Sequence, residues 1–260
     1  MIRALWTAAT GMEAQQISQD VTANNLANIN TAGFKKSRAD FQDLMYQVYT
    51  RAGVETTSGS ELPVGLEIGM GVKPIAVQKM FSQGDYQQTD NPFDLAIEGA
   101  GFFQIEADGR TLYTRAGNFK VNRDGYLCNS EGYRMIPEII IPPDTVNFIV
   151  DSGGTWSAVD ERGEALATGR IELAKFLNPA GLSSLGRGLL EATEGSGDPL
   201  TANAGEGGTG TISQNFLEMS NVNVVDEMVR MIVGQRAYEI NSKAIQTADS
   251  MLQMINGLKR

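Results

Sequence analysis

The residues that could do chemistry in this 260-residue chain are few and poorly placed for it. The run "GEGGTG", Gly205 to Gly210, has the G-x-G-x-x-G spacing of a dinucleotide-binding loop. Such a loop must follow an apolar strand and open a helix, whereas "TANA" precedes it here, so it reads as a flexible linker. Cys128 is the single cysteine, set in "GYLCNSEG", and reads as a small strand residue; no intrachain disulfide can form. Asp85, Asp90, Asp94, Asp160 and Glu161 stand in turn-like contexts without the apolar surroundings that would raise a pKa for acid catalysis, and read as solvated turn residues. Histidine is absent, which removes the commonest general base and the commonest metal ligand. P-loop, EF-hand and nucleophile-elbow spacings are also missing. Neither catalysis, a cofactor, a metal nor a small-molecule substrate is expected.

Function must then reside in the elements themselves. A hydrophobic content of 42% is ordinary for a folded protein, and a net charge of -10 argues against nucleic acid or an anionic membrane as partner. The apolar run of "MIRALWTAATGMEAQQ" is broken by Thr7, Thr10 and Glu13, so it does not read as a signal peptide. All eight prolines lie between Pro63 and Pro199, and only Gly11, Gly33, Gly234 and Gly257 of the 29 glycines fall in the first or last 50 residues. Both ends can therefore be helical while the middle cannot be mostly so. Each end is also charge-balanced, leaving the whole net charge on the middle. Neutral ends that pack and a charged middle that faces water fit this pattern, as does simple i,i+4 pairing along helices.

The C-terminal segment carries Ala237, Ala244, Ala248, Met251, Ile255 and Leu258 at helical spacing, widened by Ile245 and Leu252 and extended upstream by Val225, Val229 and Ile232. The N-terminal segment shows Leu5, Ala9, Met12, Ala23 and Leu26, with Gln16 and Gln19 between them. Narrow near-heptad stripes of this kind form coiled-coil seams, which require each other or other copies. The weak hydrophobicity predicts that both ends order on association. In "ANNLANINTAGFK" the chain crowds Asn24, Asn25, Asn28 and Asn30 before Gly33 and Phe34. The expectation is a helix that frays through the asparagines, is closed by glycine and turns into an extended segment.

The middle reads as antiparallel β. "GFFQIEADGRTLYTRAGNFKVNRDGYLCNSEGYRMI" alternates in polarity around two turn signals, Asp108-Gly109 and Asp124-Gly125. Further strands are expected at "VNFIV", "TWSAV" and "GRIELAKFL". The predicted class is α+β: N- and C-terminal helices forming a coiled-coil domain, with an antiparallel β-rich middle domain. Its predicted divisions are residues 1–35 (helix and turn), 36–75 (extended linker segment), 76–195 (β-rich), 196–212 (Gly-rich linker) and 213–260 (helix).

Four stretches resemble the bacterial flagellar rod and hook family of axial proteins: "ANNLANINTAGFKKSRADFQDLMYQ", "TDNPFDLAIEGAGFFQI", "YTRAGNFKVNRDGYL" and "SNVNVVDEMVRMIVGQRAYEINSKAIQTADSMLQMINGL". They occur in order across nearly the whole chain. Its length and "SGSELPVGLEIGMGVKPIAVQKMFSQGDYQQTDNP" are most similar to the distal-rod members. The resemblance implies a self-assembling hollow shaft in which terminal helices of many copies pack as concentric coiled coils inside a β-rich outer layer. The implied partners are further copies of the chain, the proximal rod proteins, the hook protein, the surrounding ring proteins and the flagellar export apparatus. It also implies a periplasm-spanning rod exported without a cleaved signal peptide. Residues 23–35 become a subunit-contact corner, and Leu62, Pro63, Gly65, Gly69, Gly71 and Pro74 a segment that stiffens the rod. The runner-up readings are the adjacent rod protein of the same family and a secreted β-domain binding module whose helices only dimerise it.

Overall fold

A computed structural model describes residues 2–53 and 63–258. Its backbone is α+β: helix α1 spans Ile2–Ala27, helix α2 spans Val224–Leu258, and the strands lie between them. The chain packs as two compact units and passes between them four times. One, the helical unit, comprises Met1–Leu26, Ser37–Gln78 and Val224–Arg260; the other, the β unit, comprises Ala27–Lys36 and Lys79–Asn223.

In the helical unit, α1 contains no proline, and its one glycine, Gly11, sits where α2 comes close: a Cβ there would stand 2.9 Å from Asn241 Nδ2. α2, at 35 residues, is on the order of 50 Å long. Asp226 and Glu227 occupy its first turn, where the helix dipole favours negative charge. The helices run antiparallel, since Asn25 meets Glu227 at one end while Gly11 faces Asn241 farther along. Their shared face is made of small and polar residues: Ala8, Ala14, Thr22 and Asn25 are buried on α1, and Glu227, Gly234 and Ala248 on α2.

The described residues of 36–75, a segment expected to be an extended linker, are largely strand-paired. Ser37–Asp43 pairs with Val72–Lys79, and Tyr46–Thr50 runs antiparallel to Leu66–Gly69 with Tyr46 opposite Gly69. Gly71, at φ +119°, packs against the Thr10 side chain of α1, and its carbonyl accepts from Leu44 N–H at 2.8 Å. These pairings join residues roughly 20 to 40 apart, so no short-range turn signal announces them.

In the β unit the predicted strands around Asp108-Gly109 and Asp124-Gly125 are present, but not in sequential order, since Phe102–Ala107 pairs with Arg134–Ile136 as well as with Arg110–Thr114. Phe102–Ala107 and Arg110–Thr114 form a hairpin in which Asp108 and Gly109 both take positive φ (52° and 74°), the requirement of a type I′ turn. The same sheet continues through Leu189–Glu191 and Ser183–Gly186 on one side. On the other it adds Arg134–Ile136, Leu127–Cys128 and Lys120–Val121. Adjacent residues point to opposite faces: Phe103 and Ile105 join the larger core with Phe119, Leu127, Met135 and Leu173, while Phe102 packs with Tyr113 and Phe176. Asn147–Val150, Thr155–Val159 and Ala165–Arg170 make a separate three-stranded sheet, whose Trp156 enters the larger core.

The glycine-rich stretch 196–212 is not a flexible linker. Leu200–Asn203 pairs with Glu172–Lys175, and Thr211–Gln214 pairs with Leu95–Glu98. Gly205, Gly207 and Gly208 supply the positive φ values of the tight turn between those strands (81°, 60° and 76°), and buried Thr209 donates to Asn203 O and Glu206 O. Here glycine fixes geometry rather than freeing it. The final helix likewise begins at Val224 and not at 213, because residues 211–218 complete the β unit as Thr211–Gln214 and Phe216–Glu218.

Candidate assembly site

Asparagines 24 and 25 lie inside α1, which runs unfrayed to Ala27; the turn follows them. Asn25 is 2% exposed and acts as a clamp. Its Oδ1 accepts from Ser37 N–H at 2.8 Å, while its Nδ2 donates to Ser37 O at 2.9 Å and to Glu227 Oε2 at 3.2 Å. One amide thus ties α1, the start of the first strand and the first turn of α2, all within the helical unit. Asn28 shapes the turn by accepting from Thr31 N–H and Thr31 Oγ1, whereas Asn24 and Asn30 are exposed.

Gly33 (φ +70°) brings the chain against the β unit. Its N–H donates to Glu218 O at 2.7 Å, and any Cβ there would collide with the Arg115–Ala116 backbone. Phe34, half-buried, closes the turn through its N–H to Thr31 O. Lys35 then enters the interior. Its ammonium pairs with Glu218 Oε1 and donates to Ser82 O at 2.7 Å. Glu218 Oε1 also accepts from Gly84 N–H at 3.0 Å, and Arg115 Nε stands 3.4 Å from Oε2. All three charged side chains are at most 4% exposed. Burial pulls both Lys35 and Arg115 below their usual pKa ranges, against the opposing pull of Glu218. Asn221 completes the arrangement: Oδ1 accepts from Lys36 N–H, and Nδ2 donates to Met80 O and to Ser82. Three passes of the chain, 33–36, 80–84 and 218–221, are therefore locked together within the β unit. A lysine following "TAGF" was a sequence signal for this cluster, but its partner lies 183 residues away.

Among the described residues, little covers the outward face of α2. Val225, Met228, Val229, Ile232, Val233, Ile240, Met254 and Ile255 are all more than half exposed, and Met251 nearly so. Of the residues expected in the seams, Val225, Val229, Ile232, Met251 and Ile255 lie on this open face; Ala9, Ala23 and Ala244 are also exposed. Leu5, Met12, Leu26 and Leu252 are half-buried, and Ala248 is buried. The face that α1 turns to α2 is the neighbouring stripe Ala8, Gly11, Gln15, Ser18, Thr22 and Asn25, whose small and polar members carry little hydropathy signal. The strands of the helical unit also expose Tyr46, Val48, Tyr49, Leu66, Ile68, Ile75 and Val77. Of the proposed stiffening residues, Gly69 lies opposite Tyr46 in the paired ribbon, Gly65 precedes that strand where a Cβ would stand 2.7 Å from Thr50 O, Gly71 touches α1, and Pro63 and Pro74 are exposed. Leu62 and the side chain of Leu258 lie outside the described residues.

Cys128 is buried in its strand, and burial pushes its thiol pKa up. Asp94 departs from expectation in being buried, accepting from Asn91 Nδ2 at 2.9 Å within a turn. The other candidate carboxylates do not converge, and among the described residues no cluster could hold a metal and no helix is long and apolar enough to cross a membrane.

Three family descriptions match the chain: flagella basal body rod protein over residues 5–35, flagellar hook protein FlgE/F/G D1 domain over 96–158, and flagellar basal body rod FlgEFG protein C-terminal over 213–258. The chain is 48% identical to the flagellar basal-body rod protein FlgG of Borreliella burgdorferi, with all of both chains covered. It is 46% identical to that of Buchnera aphidicola subsp. Schizaphis graminum, covering 99% of this chain and all of the relative. Against that of Caulobacter vibrioides the identity is 44%, with the same coverage. With two terminal helices, an uncovered apolar face and this similarity along its whole length, the protein belongs to the flagellar basal-body rod family, whose members are structural subunits and not enzymes.

Proposed function

We propose that this protein builds the distal rod of the bacterial flagellum, polymerising as a hollow helical shaft that transmits torque from motor to hook and conducts exported subunits. The observation that carries this reading is the apolar face of α2, more than half exposed at Val225, Val229 and Ile232 in a chain whose relatives are rod proteins. An apolar patch of that extent marks a contact surface. In the shaft these residues pack against helices of neighbouring copies as coiled coils, with the β unit as the outer layer. Its neighbours are the proximal rod proteins, the hook protein and the ring proteins that form a bushing, and it travels through the flagellar export apparatus uncleaved. The segment marked by Leu62, Pro63, Gly65, Gly69, Gly71 and Pro74 stiffens the shaft, with Pro63 and Pro74 restricting backbone freedom.

The test is the double variant Val229→Glu, Ile232→Glu. Both side chains are exposed in the isolated chain, so the fold is expected to persist by circular dichroism while polymer formation weakens by about tenfold or more, a difference of at least ~1.4 kcal/mol per contact set. Wild-type polymer yield from this variant would remove α2 from the assembly surface.

A further inference from the structure

Beneath the apolar face of α2 lies a cleft of about 310 Å³ lined by Gln15, Ser18 and Thr22 of α1, Arg38, and Val229 and Val233 of α2. At its floor is Glu227, whose side chain is 1% exposed. Asn25 Nδ2 satisfies Oε2, but among the described residues Oε1 accepts no hydrogen bond. Arg230, one turn on, holds its Nε 4.0 Å away, too far for one, and its side chain is 54% exposed. A buried carboxylate oxygen without a donor is costly, and a cation that arrives with its own donor removes that cost. The space is far above the roughly 10–15 Å³ a single water requires, so it admits a side chain.

We infer that this cleft is a socket for a lysine or arginine side chain from a second copy of this chain, which names the polar contact inside the apolar assembly surface and rests on the self-assembly proposed above. A second copy is the occupant because Val229 and Val233, more than half exposed, form part of the cleft wall and belong to the face that self-assembly covers. Whatever packs on those valines stands over Glu227. The carboxylate then sets register along the helix, which an apolar stripe alone specifies weakly, as polar residues in coiled-coil seams do.

The experiment compares full-length wild type, Glu227→Gln and Arg230→Gln by sedimentation and electron microscopy across concentration, with thermal melts of each dilute monomer. Glu227→Gln keeps an oxygen to accept from Asn25 Nδ2, so the monomer should still give a cooperative melt, while the critical concentration for polymer should rise about tenfold. An unchanged critical concentration overturns the socket while leaving self-assembly intact. If Arg230→Gln gives the same rise and cross-links from Val233 join Arg230 only within one chain, the chain's own arginine is the partner and the socket is likewise overturned. If wild type forms no polymer at any concentration, the self-assembly reading itself fails, and the socket with it. A photoreactive residue at Val233 should in addition cross-link assembled chains to an intermolecular peptide bearing Lys or Arg; only intrachain adducts would contradict the proposal.

Discussion

Glu218 holds two cations, Lys35 and Arg115, in an interior where neither is more than 4% exposed. One carboxylate against two positive groups leaves a net positive charge, relieved in part by Ser82 O, by Gly99 O on Arg115 Nη2 at 2.7 Å, and by the Phe102 ring under the guanidinium. The three members are not equivalent. Glu218→Gln strands both cations and should destabilise the β unit by about 3–5 kcal/mol, lowering its melting temperature on the order of 10 °C. Lys35→Met keeps the Arg115–Glu218 pair and replaces an aliphatic stem with another, so its cost should be clearly smaller. Thermal unfolding of the two variants checks this order, and a larger loss for Lys35→Met would show that the lysine, not the glutamate, is the keystone. Asn25 makes the corresponding clamp in the helical unit, with the Ser37 backbone and the Glu227 carboxylate as its partners.

At the scale of elements, the corner 28–36 redirects the chain between helix and strands, and Gly33 is where it cannot accept a side chain. Gly33→Val should destabilise the β unit, adding collision with the Arg115–Ala116 backbone to the roughly 1–2 kcal/mol that a non-glycine residue pays in left-handed space. Loss of the Gly33 N–H to Glu218 O bond, followed by amide exchange, would report it; wild-type protection in that variant would contradict the account. Elements with local signals were legible in the sequence: the Asp108-Gly109 hairpin, the strands at Asn147–Val150 and Thr155–Val159, and both helices. The strands at Leu200–Asn203 and Thr211–Gln214 were not, because glycines that set positive φ in a tight turn have the same composition as glycines that confer flexibility. The ladder of Ser37–Asp43 with Val72–Lys79 was hidden by long sequence separation. The inner face of α1 was hidden by chemistry, since Gly11, Ser18, Thr22 and Asn25 pack closely without being hydrophobic. The cluster at Glu218 and the buried Glu227 were invisible for a related reason: charge in sequence reads as surface until a partner far along the chain is found.

At the scale of the molecule, the helical unit holds large apolar side chains open on both its long helix and its strands. The β unit has two closed cores of its own. Association is therefore expected to involve the helical unit most. The net charge of the chain, concentrated in its middle, favours solvent around the β unit. The most direct measurement is electron cryomicroscopy of polymer grown from the purified full-length chain. The account predicts a continuous hollow helix in which Val225, Val229 and Ile232 of each copy are buried against neighbouring helices. A discrete small oligomer, or a polymer joined through the β units with that face of α2 still open to solvent, would contradict it.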